Sequence, residues 1–410
     1  MTLFIGTVVA LYALVLFEVL CVLWYDGENG HIEQCDYVPA DKPVSVILCA
    51  LLPNEEGLLV STVNSTLAQM AFSSDNELIL SIVSPSRSPA IKELERIAVD
   101  NPKLVLLVGD KRVGKPAQLN AAIDRAKNEV LYFLDADELL DNDVLEMACR
   151  AYTGCAVWQG ATAPRNQLKV FEKLISVETV VKYRVGLRYR ELGYGNVYFC
   201  GSNALWPRSL LTSLRFTNDS LVEDIEISAR ACLQGSKTLL KPWMTASELA
   251  PNSLKAWWIQ RRRWAKGWLD VGRIHLKEIA HSQNMSAIAK WDWIYLIYLR
   301  RVTLAIASVF YLCIAFGHAF LDFPQFLNFL YIWGLLVVPL QLFIAFFQIC
   351  AVNRDASFIQ NPYTTYPLYV LAFPLYELLK SLVALDALRL AFISSDDWQV
   401  TPRGEEASND

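Results

Sequence analysis

Apolar residues gather at the two ends of the chain and alternate with polar stretches in between. Residues 3–24, LFIGTVVALYALVLFEVLCVLW, form one long apolar run, enough for a helix to cross a hydrocarbon core, which takes about 20 residues. Further spans are predicted at about 294–317 and 327–351. A last apolar segment, at about 366–393, carries Glu377, Lys380, Asp386 and Arg389, two opposite-charge pairs each three residues apart. Charge at membrane depth is costly, so this segment is read as facing a protein interior or lying partly in the interface, with Pro367 and Pro374 placed to break it.

From Val44 onward the pattern changes to short β-branched runs separated by helix-like segments. VSVILCALL, ELILSIVS, KLVLLVG and EVLYFLD read as strands, and helices are predicted to begin near Asn54, Ser88 and Pro116. This alternation predicts a parallel sheet covered by helices, with ligands bound beyond the carboxyl ends of the strands.

The composition agrees with a membrane protein that has a soluble middle. Of 410 residues, 54% are hydrophobic, and 37 Lys and Arg stand against 42 Asp and Glu, an acidic balance that argues against a nucleic-acid partner. The first apolar run lacks the basic start and small-residue cleavage site of a signal peptide, so it reads as an uncleaved anchor. Lys290, Arg300 and Arg301 flank the second predicted span, the loop GHAFLDFP has no Lys or Arg, and Arg354 follows the third span; the positive-inside rule then puts residues 26–290 in the cytoplasm. Nine cysteines show no paired framework, which predicts free thiols rather than disulfides or a zinc site.

Polar residues stand just after the predicted strands: PNEE (Pro53, Asn54, Glu55, Glu56), GDKRVGKP, and DADE (Asp135 to Glu138). Gly109, Gly114 and Lys115 have the spacing of a phosphate-gripping loop, but the position after the lysine is Pro116. Proline supplies neither the metal-binding hydroxyl nor the N–H such a loop needs, while it suits the first turn of a helix. Asp135 and Asp137, separated by Ala136, could hold Mg2+ or Mn2+ against a diphosphate; the same acids would also suit a helix N-terminus. Glu223 and Asp224, opening an amphipathic helix, have both readings too. In SLKAWWIQRRRWAKGWLDVGRIHLK, three arginines lie among Trp257, Trp258, Trp264 and Trp268, combining diphosphate-binding groups with faces that stack on sugars, in a helix equally suited to lie on a membrane.

Taken in order, PNEE, GKPAQLN, DAD, FCGSN, ED and QRRRW resemble the membrane-bound family 2 glycosyltransferases, the group of cellulose, chitin and hyaluronan synthases, over about residues 44–268. The resemblance implies an α/β fold of the GT-A (Rossmann-like) type and inverting transfer from a nucleotide sugar. It implies five parts: an N-terminal transmembrane anchor (1–25), a cytosolic GT-A domain (26–252), amphipathic interface helices carrying QRRRW (253–290), C-terminal transmembrane and interface helices (291–395), and a solvated tail (396–410). Carried over, Asp137 and Asp135 would hold the metal, Mg2+ or Mn2+, with Asp135 also beside the nucleotide sugar. Asp224 would be the general base, with Glu223 beside it. Pro53, Asn54, Glu55, Lys115, Asn120, Gln260 and Arg263 would meet the nucleotide sugar. Phe199, Cys200, Gly201 and Ser202 match the segment beside the acceptor sugar, which Trp264 would also meet; the resemblance gives the middle residues Arg261 and Arg262 no firm role.

One departure is IVSPSRSP after the second strand, where the family has an Asp-rich turn contacting the nucleobase or ribose; Ser84 or Ser86 is the substitute, and UDP remains the family default. WQVTPR, from Trp398 to Arg403, resembles a C-terminal element that returns to the active-site mouth. The expected partners are a UDP-sugar, a glycan or lipid acceptor and the bilayer, in a multi-pass protein of the plasma membrane. The expected product is a polysaccharide; the alternative is a single-transfer glycolipid synthase. Three or four spans make a narrow channel, so secretion of a polymer would call for a homo-oligomer.

Overall fold

A computed structural model describes residues 2–29, 42–85, 88–111, 113–316, 322–353 and 358–393. The tail 396–410, with its WQVTPR stretch, and Ser86 lie outside these residues. The chain divides into two compact units.

The first unit comprises His31–Asn166 and Arg190–Pro251 and holds all the described strands. These are β1 (Val44–Leu51), β2 (Glu77–Val83), β3 (Leu104–Gly109), β4 (Val130–Asp135), β5 (Leu139–Leu140), β6 (Val157–Pro164), β7 (Ala204–Pro207) and β8 (Thr238–Glu248). They form one sheet in the order β3-β2-β1-β4-β7-β6-β8-β5. The four predicted strands and the starts of the helices Glu56–Gln69, Pro89–Asp100 and Lys115–Arg125 match the sequence reading. The parallel pairing expected of these four strands holds, and further strands extend the sheet. β1 to β4 are parallel, but β7 runs antiparallel to both β4 and β6, and β5 antiparallel to β8, giving a mixed sheet.

The apolar runs arise because both faces of the sheet are covered. All seven residues of β2 are buried, and alternate side chains enter different cores. Val46, Leu48, Leu78, Leu80, Tyr132 and Leu134 pack with Leu59 and Val63 on one face. Ile47, Ile79, Leu131 and Phe133 pack with Leu119, Ile123, Phe199 and Trp206 on the other. Each fully buried Leu or Ile stabilises this arrangement by roughly 1.5–3 kcal/mol.

The second unit comprises Met1–Gly30, Gln167–Tyr189 and Asn252–Thr401 and is helical in its described part. Three of its helices contain stretches long and apolar enough to cross a membrane: Val8–Asp26, Gly334–Val352 and Pro362–Ala391. The span expected at 294–317 falls on a π-type turn, Tyr295–Leu299, that continues directly into the α-helix Arg300–Phe316, which opens on two arginines. The helix Pro362–Ile393 runs without interruption through Pro367 and Pro374, where a break was expected. A missing backbone donor is tolerated where neighbouring helices and local adjustments satisfy the freed groups. Polar side chains join the helices internally: Gln341 Nε2 donates to the hydroxyls of Tyr12 and Tyr311, each at 2.7 Å.

Candidate active site

The site begins where β4 ends. Asp135 is the last residue of that strand and pairs in register with Cys49 of β1. Ala136, Asp137 and Glu138 turn the chain into β5. The turn is closed by Glu138, whose N–H donates to the Asp135 carbonyl at 3.0 Å and whose Oε2 accepts the Asp135 N–H at 3.2 Å.

Lys115 reaches the same place from the first turn of its helix. Its Nζ lies 2.8 Å from Asp135 Oδ1 and 3.3 Å from Glu223 Oε1. Gly114 precedes it because a β-carbon there would stand 2.8 Å from Asn218 Oδ1. The apparent phosphate loop is therefore a helix start that delivers a lysine to two carboxylates. Burial opposes the ammonium charge, but Asp135 and Glu223 outweigh it and raise the Lys115 pKa above the ordinary value. Burial pushes the neighbouring Cys49 thiol up to about 12, with Lys115 pulling it down and Asp135 and Glu223 pushing the same way as burial. Burial also drives Glu138 well above the ordinary carboxyl range, reinforced by Asp135 and partly opposed by the Ser202 hydroxyl.

Glu223 and Asp224 open the helix Glu223–Leu233. Asp224 faces the FCGSN loop: its Oδ2 lies 3.3 Å from where a β-carbon on Gly201 would be, and Gly201 has φ +98°. Buried Gln159 of β6 holds this loop, accepting the Cys200 N–H at 2.8 Å and donating to the Ser202 carbonyl at 3.1 Å. Ser202 Oγ donates to Glu138 Oε1 at 2.6 Å. The next residue, Asn203, accepts from the Tyr132 hydroxyl and donates to the carbonyls of Ala161 and Met244.

The structure thus brings Lys115, Asp135 and Glu223 together through ion pairs, Asp224 to Gly201, and Ser202 to Glu138. It gives several other sequence-predicted residues local tasks. The Ser202 hydroxyl, expected at the acceptor, donates to buried Glu138. Asn120, expected at the nucleotide sugar, commits both ends of its amide to the main chain of Phe216, at 2.8 and 3.0 Å. After Pro53, Glu55 accepts from the Leu51 N–H at 2.8 Å and from Asn54 Nδ2 at 2.6 Å, closing the turn after β1. Buried Asp137 accepts the Leu249 N–H at 3.2 Å through Oδ2, and Arg165 Nη1 donates to its carbonyl at 2.6 Å. Ser84 is buried, and its N–H donates to the Gly109 carbonyl at 2.9 Å.

The carboxylates of Asp135 and Asp137 suit a hard divalent cation. Among the described residues no group of three or more His, Cys, Asp or Glu side chains is arranged to hold a metal ion. A cation there would complete its shell with diphosphate oxygens and water, as Mg2+ ordinarily does.

Gln260, Arg263 and Trp264 belong to the helical unit, on the helix Leu254–His281, which Ser253 caps through the Ala256 N–H. Within that unit Arg261 Nη2 lies 2.6 Å from Glu178 Oε2, and Arg262 Nη1 3.4 Å from Asp386 Oδ2. Burial opposes the charge on Glu178, but Arg261 and Lys380 bring its carboxyl below the ordinary range. Sequence reasoning missed Gln159, Arg165 and Glu178. A glutamine within the strand VWQGATAP and an acid within the apolar helix VFEKLISVETVV were the available signals.

A family model described as glycosyl transferase family group 2 matches residues 130–351, more than half of the chain. Glucomannan 4-beta-mannosyltransferase 7 of Arabidopsis thaliana is 24% identical over 258 residues, 58% of this chain and 46% of that protein. Poly-beta-1,6-N-acetyl-D-glucosamine synthase of Staphylococcus aureus is 23% identical over 214 residues, 51% of this chain and 52% of that protein. The chain thus spans about half the length of these curated relatives. The mannosyltransferase PcManGT from Pyrobaculum calidifontis, solved in complex with GDP-Man and Mn2+, superposes with a TM-score of 0.55 at 17% identity, over 93% of this chain and 98% of that one. That likeness shows the fold: a GT-A sheet with flanking helices.

Proposed function

Because the chain belongs to glycosyl transferase family group 2, we propose that it transfers a sugar, with inversion, from a nucleotide-diphosphate sugar to a growing polysaccharide at a membrane. The observation that carries this reading is the meeting at Lys115. One cation joins the strand-end carboxylate Asp135 to Glu223, and the residue after Glu223, Asp224, abuts the FCGSN loop at Gly201.

In the proposed reaction an acceptor hydroxyl attacks the anomeric carbon from the side opposite the diphosphate. The new glycosidic C–O bond forms as the bond from that carbon to the diphosphate oxygen breaks. Asp224 takes the hydroxyl proton, a contribution of about 10²–10⁴-fold. Lys115 holds Asp135 and Glu223 as ordered carboxylates. Asp135 and Asp137 would hold Mg2+ or Mn2+, which when bound supplies Lewis-acid neutralisation of the leaving diphosphate. Arg263 is assigned to the same diphosphate and Trp264 to the acceptor sugar. The three long apolar helices support membrane association, and the positive-inside pattern supports a multi-pass plasma-membrane protein with this site in the cytoplasm.

The test is to incubate the detergent-purified protein with a panel of UDP- and GDP-sugars, with Mg2+ or Mn2+, and to size the products. A ladder of oligosaccharides supports the proposal. One lipid-soluble product identifies a single-transfer glycolipid synthase instead, and no donor turnover across the panel removes the transferase reading.

A further inference from the structure

Two arginines inside QRRRW and the charges on the last apolar helix take no part in the transfer steps above. They meet one another within the helical unit. Glu178 Oε2 accepts from Arg261 Nη2 at 2.6 Å and from the Tyr376 hydroxyl at 2.7 Å, while Lys380 Nζ lies 3.7 Å from its other oxygen. Asp386 Oδ2 accepts from Trp258 Nε1 at 3.1 Å and pairs with Arg262 at 3.4 Å. The helix carrying QRRRW is therefore fixed at two points, by an acid from the helix Val170–Val181 and by one from Pro362–Ile393. At the first point the guanidinium of Arg261 also lies over the ring of Trp264, 4.4 Å from its centroid.

We propose that Arg261 is a positioning residue for the acceptor sugar: anchored by Glu178, its guanidinium fixes the orientation of the Trp264 indole. This rests on the reading of Trp264 as the acceptor contact. Three and four residues apart on a helix are neighbouring positions, so Arg261 can reach the ring of Trp264 while its side chain also meets Glu178. A planar, delocalised cation suits both contacts: the fork binds the carboxylate and the guanidinium lies over the indole. Lysine would keep the charge pair and give up the stack. A ring already held in place costs a docking sugar less ordering than a mobile one, so the effect belongs in acceptor affinity rather than in the chemical step.

The experiment compares Arg261→Lys, Glu178→Gln and Trp264→Ala with the unaltered full-length protein in detergent. An oligosaccharide primer of the transferred sugar serves as acceptor, and thermal midpoints are read in parallel. Arg261→Lys is expected to raise the acceptor KM about fivefold, with kcat at saturating primer, donor KM and thermal midpoint close to the original values. Glu178→Gln is expected to raise the acceptor KM in the same direction, since the guanidinium loses its anchor. If Trp264→Ala raises the acceptor KM and neither of the other two variants does, Arg261 only joins helices and the proposal is overturned. If Trp264→Ala itself leaves the acceptor KM unchanged, the acceptor reading of Trp264 fails and the proposal falls with it. A fall in thermal midpoint without a KM change in Arg261→Lys likewise overturns it.

Discussion

Asp224 and Gly201 are packed so closely that a β-carbon on the glycine would stand 3.3 Å from the carboxylate Oδ2, at a backbone φ of +98°. Gly201→Ala meets two obstacles at once. The conformation disfavours any L side chain, at roughly 1–3 kcal/mol, and Asp224 would have to give way by a few tenths of an ångström. The variant is expected to lose most transfer activity while nucleotide binding, followed by calorimetry, persists. Full activity would show that the position of Asp224 relative to this loop is unimportant.

Asp224→Asn keeps the shape of the side chain and removes its basicity. Transfer is expected to fall by about 10²–10⁴-fold, with the dissociation constant for nucleotide little changed. Turnover at the original rate would take the base role away from Asp224.

Asp137→Asn tests the proposed metal contact by removing the carboxylate charge without enlarging the side chain. Nucleotide binding in Mn2+ is expected to weaken towards the value measured in EDTA, while binding in EDTA itself stays the same. Identical binding curves in Mn2+ for both proteins would exclude Asp137 as a ligand.

Glu178 supplies a pH dependence. Its carboxyl is held below the ordinary range by Arg261 and Lys380 against the opposing effect of burial. The folded value therefore lies below the unfolded one of about 4.3, so its contribution to stability is present above that pH and is lost as pH falls through the folded value. The gap in thermal midpoint between the original protein and Glu178→Gln should stay constant above about pH 5 and narrow below about pH 4. A gap that widens on acidification would contradict the ion pair.

Cys49 should be chemically quiet. Burial and two nearby carboxylates push its thiol up to about 12, so almost none is thiolate at neutral pH, and the thiolate is the reactive form. In iodoacetamide at about pH 8 the exposed Cys155 is expected to be labelled and Cys49 spared, as read by peptide mass spectrometry. Equal labelling would mean that the end of β1 is open to solvent.

The first half of the sheet was legible because β1, β2 and β4 are buried on both faces and, with the edge strand β3, read as unbroken apolar runs. The second half was not. β7 has four residues and β5 two, and β8, TLLKPWMTASE, carries Lys241 and Pro242 in a pattern without clear alternation. Its pairing with β6 joins residues about eighty positions apart, which no local pattern encodes. At the site, the carboxylates after β4 and the acids opening the helix at Glu223 were readable from their place in the chain. Lys115, which pairs with Asp135 and Glu223, was noticed through a coincidental spacing with Gly109 and Gly114 and through the motif GKPAQLN. Ser202 and Asn120 were assigned to ligands through the family motifs FCGSN and GKPAQLN. Buried Glu138 and the main chain of Phe216 compete for them, and neither partner is near in sequence.

The two interior prolines of the helix Pro362–Ile393, Pro367 and Pro374, are seven positions apart, almost two whole turns, so they project from nearly the same side of the rod. Each leaves a local gap in the hydrogen-bond ladder that lets a helix bend away from it. Bends on one side accumulate instead of cancelling, so any bend that Pro367 and Pro374 introduce lies in a single plane, on a side fixed by their spacing.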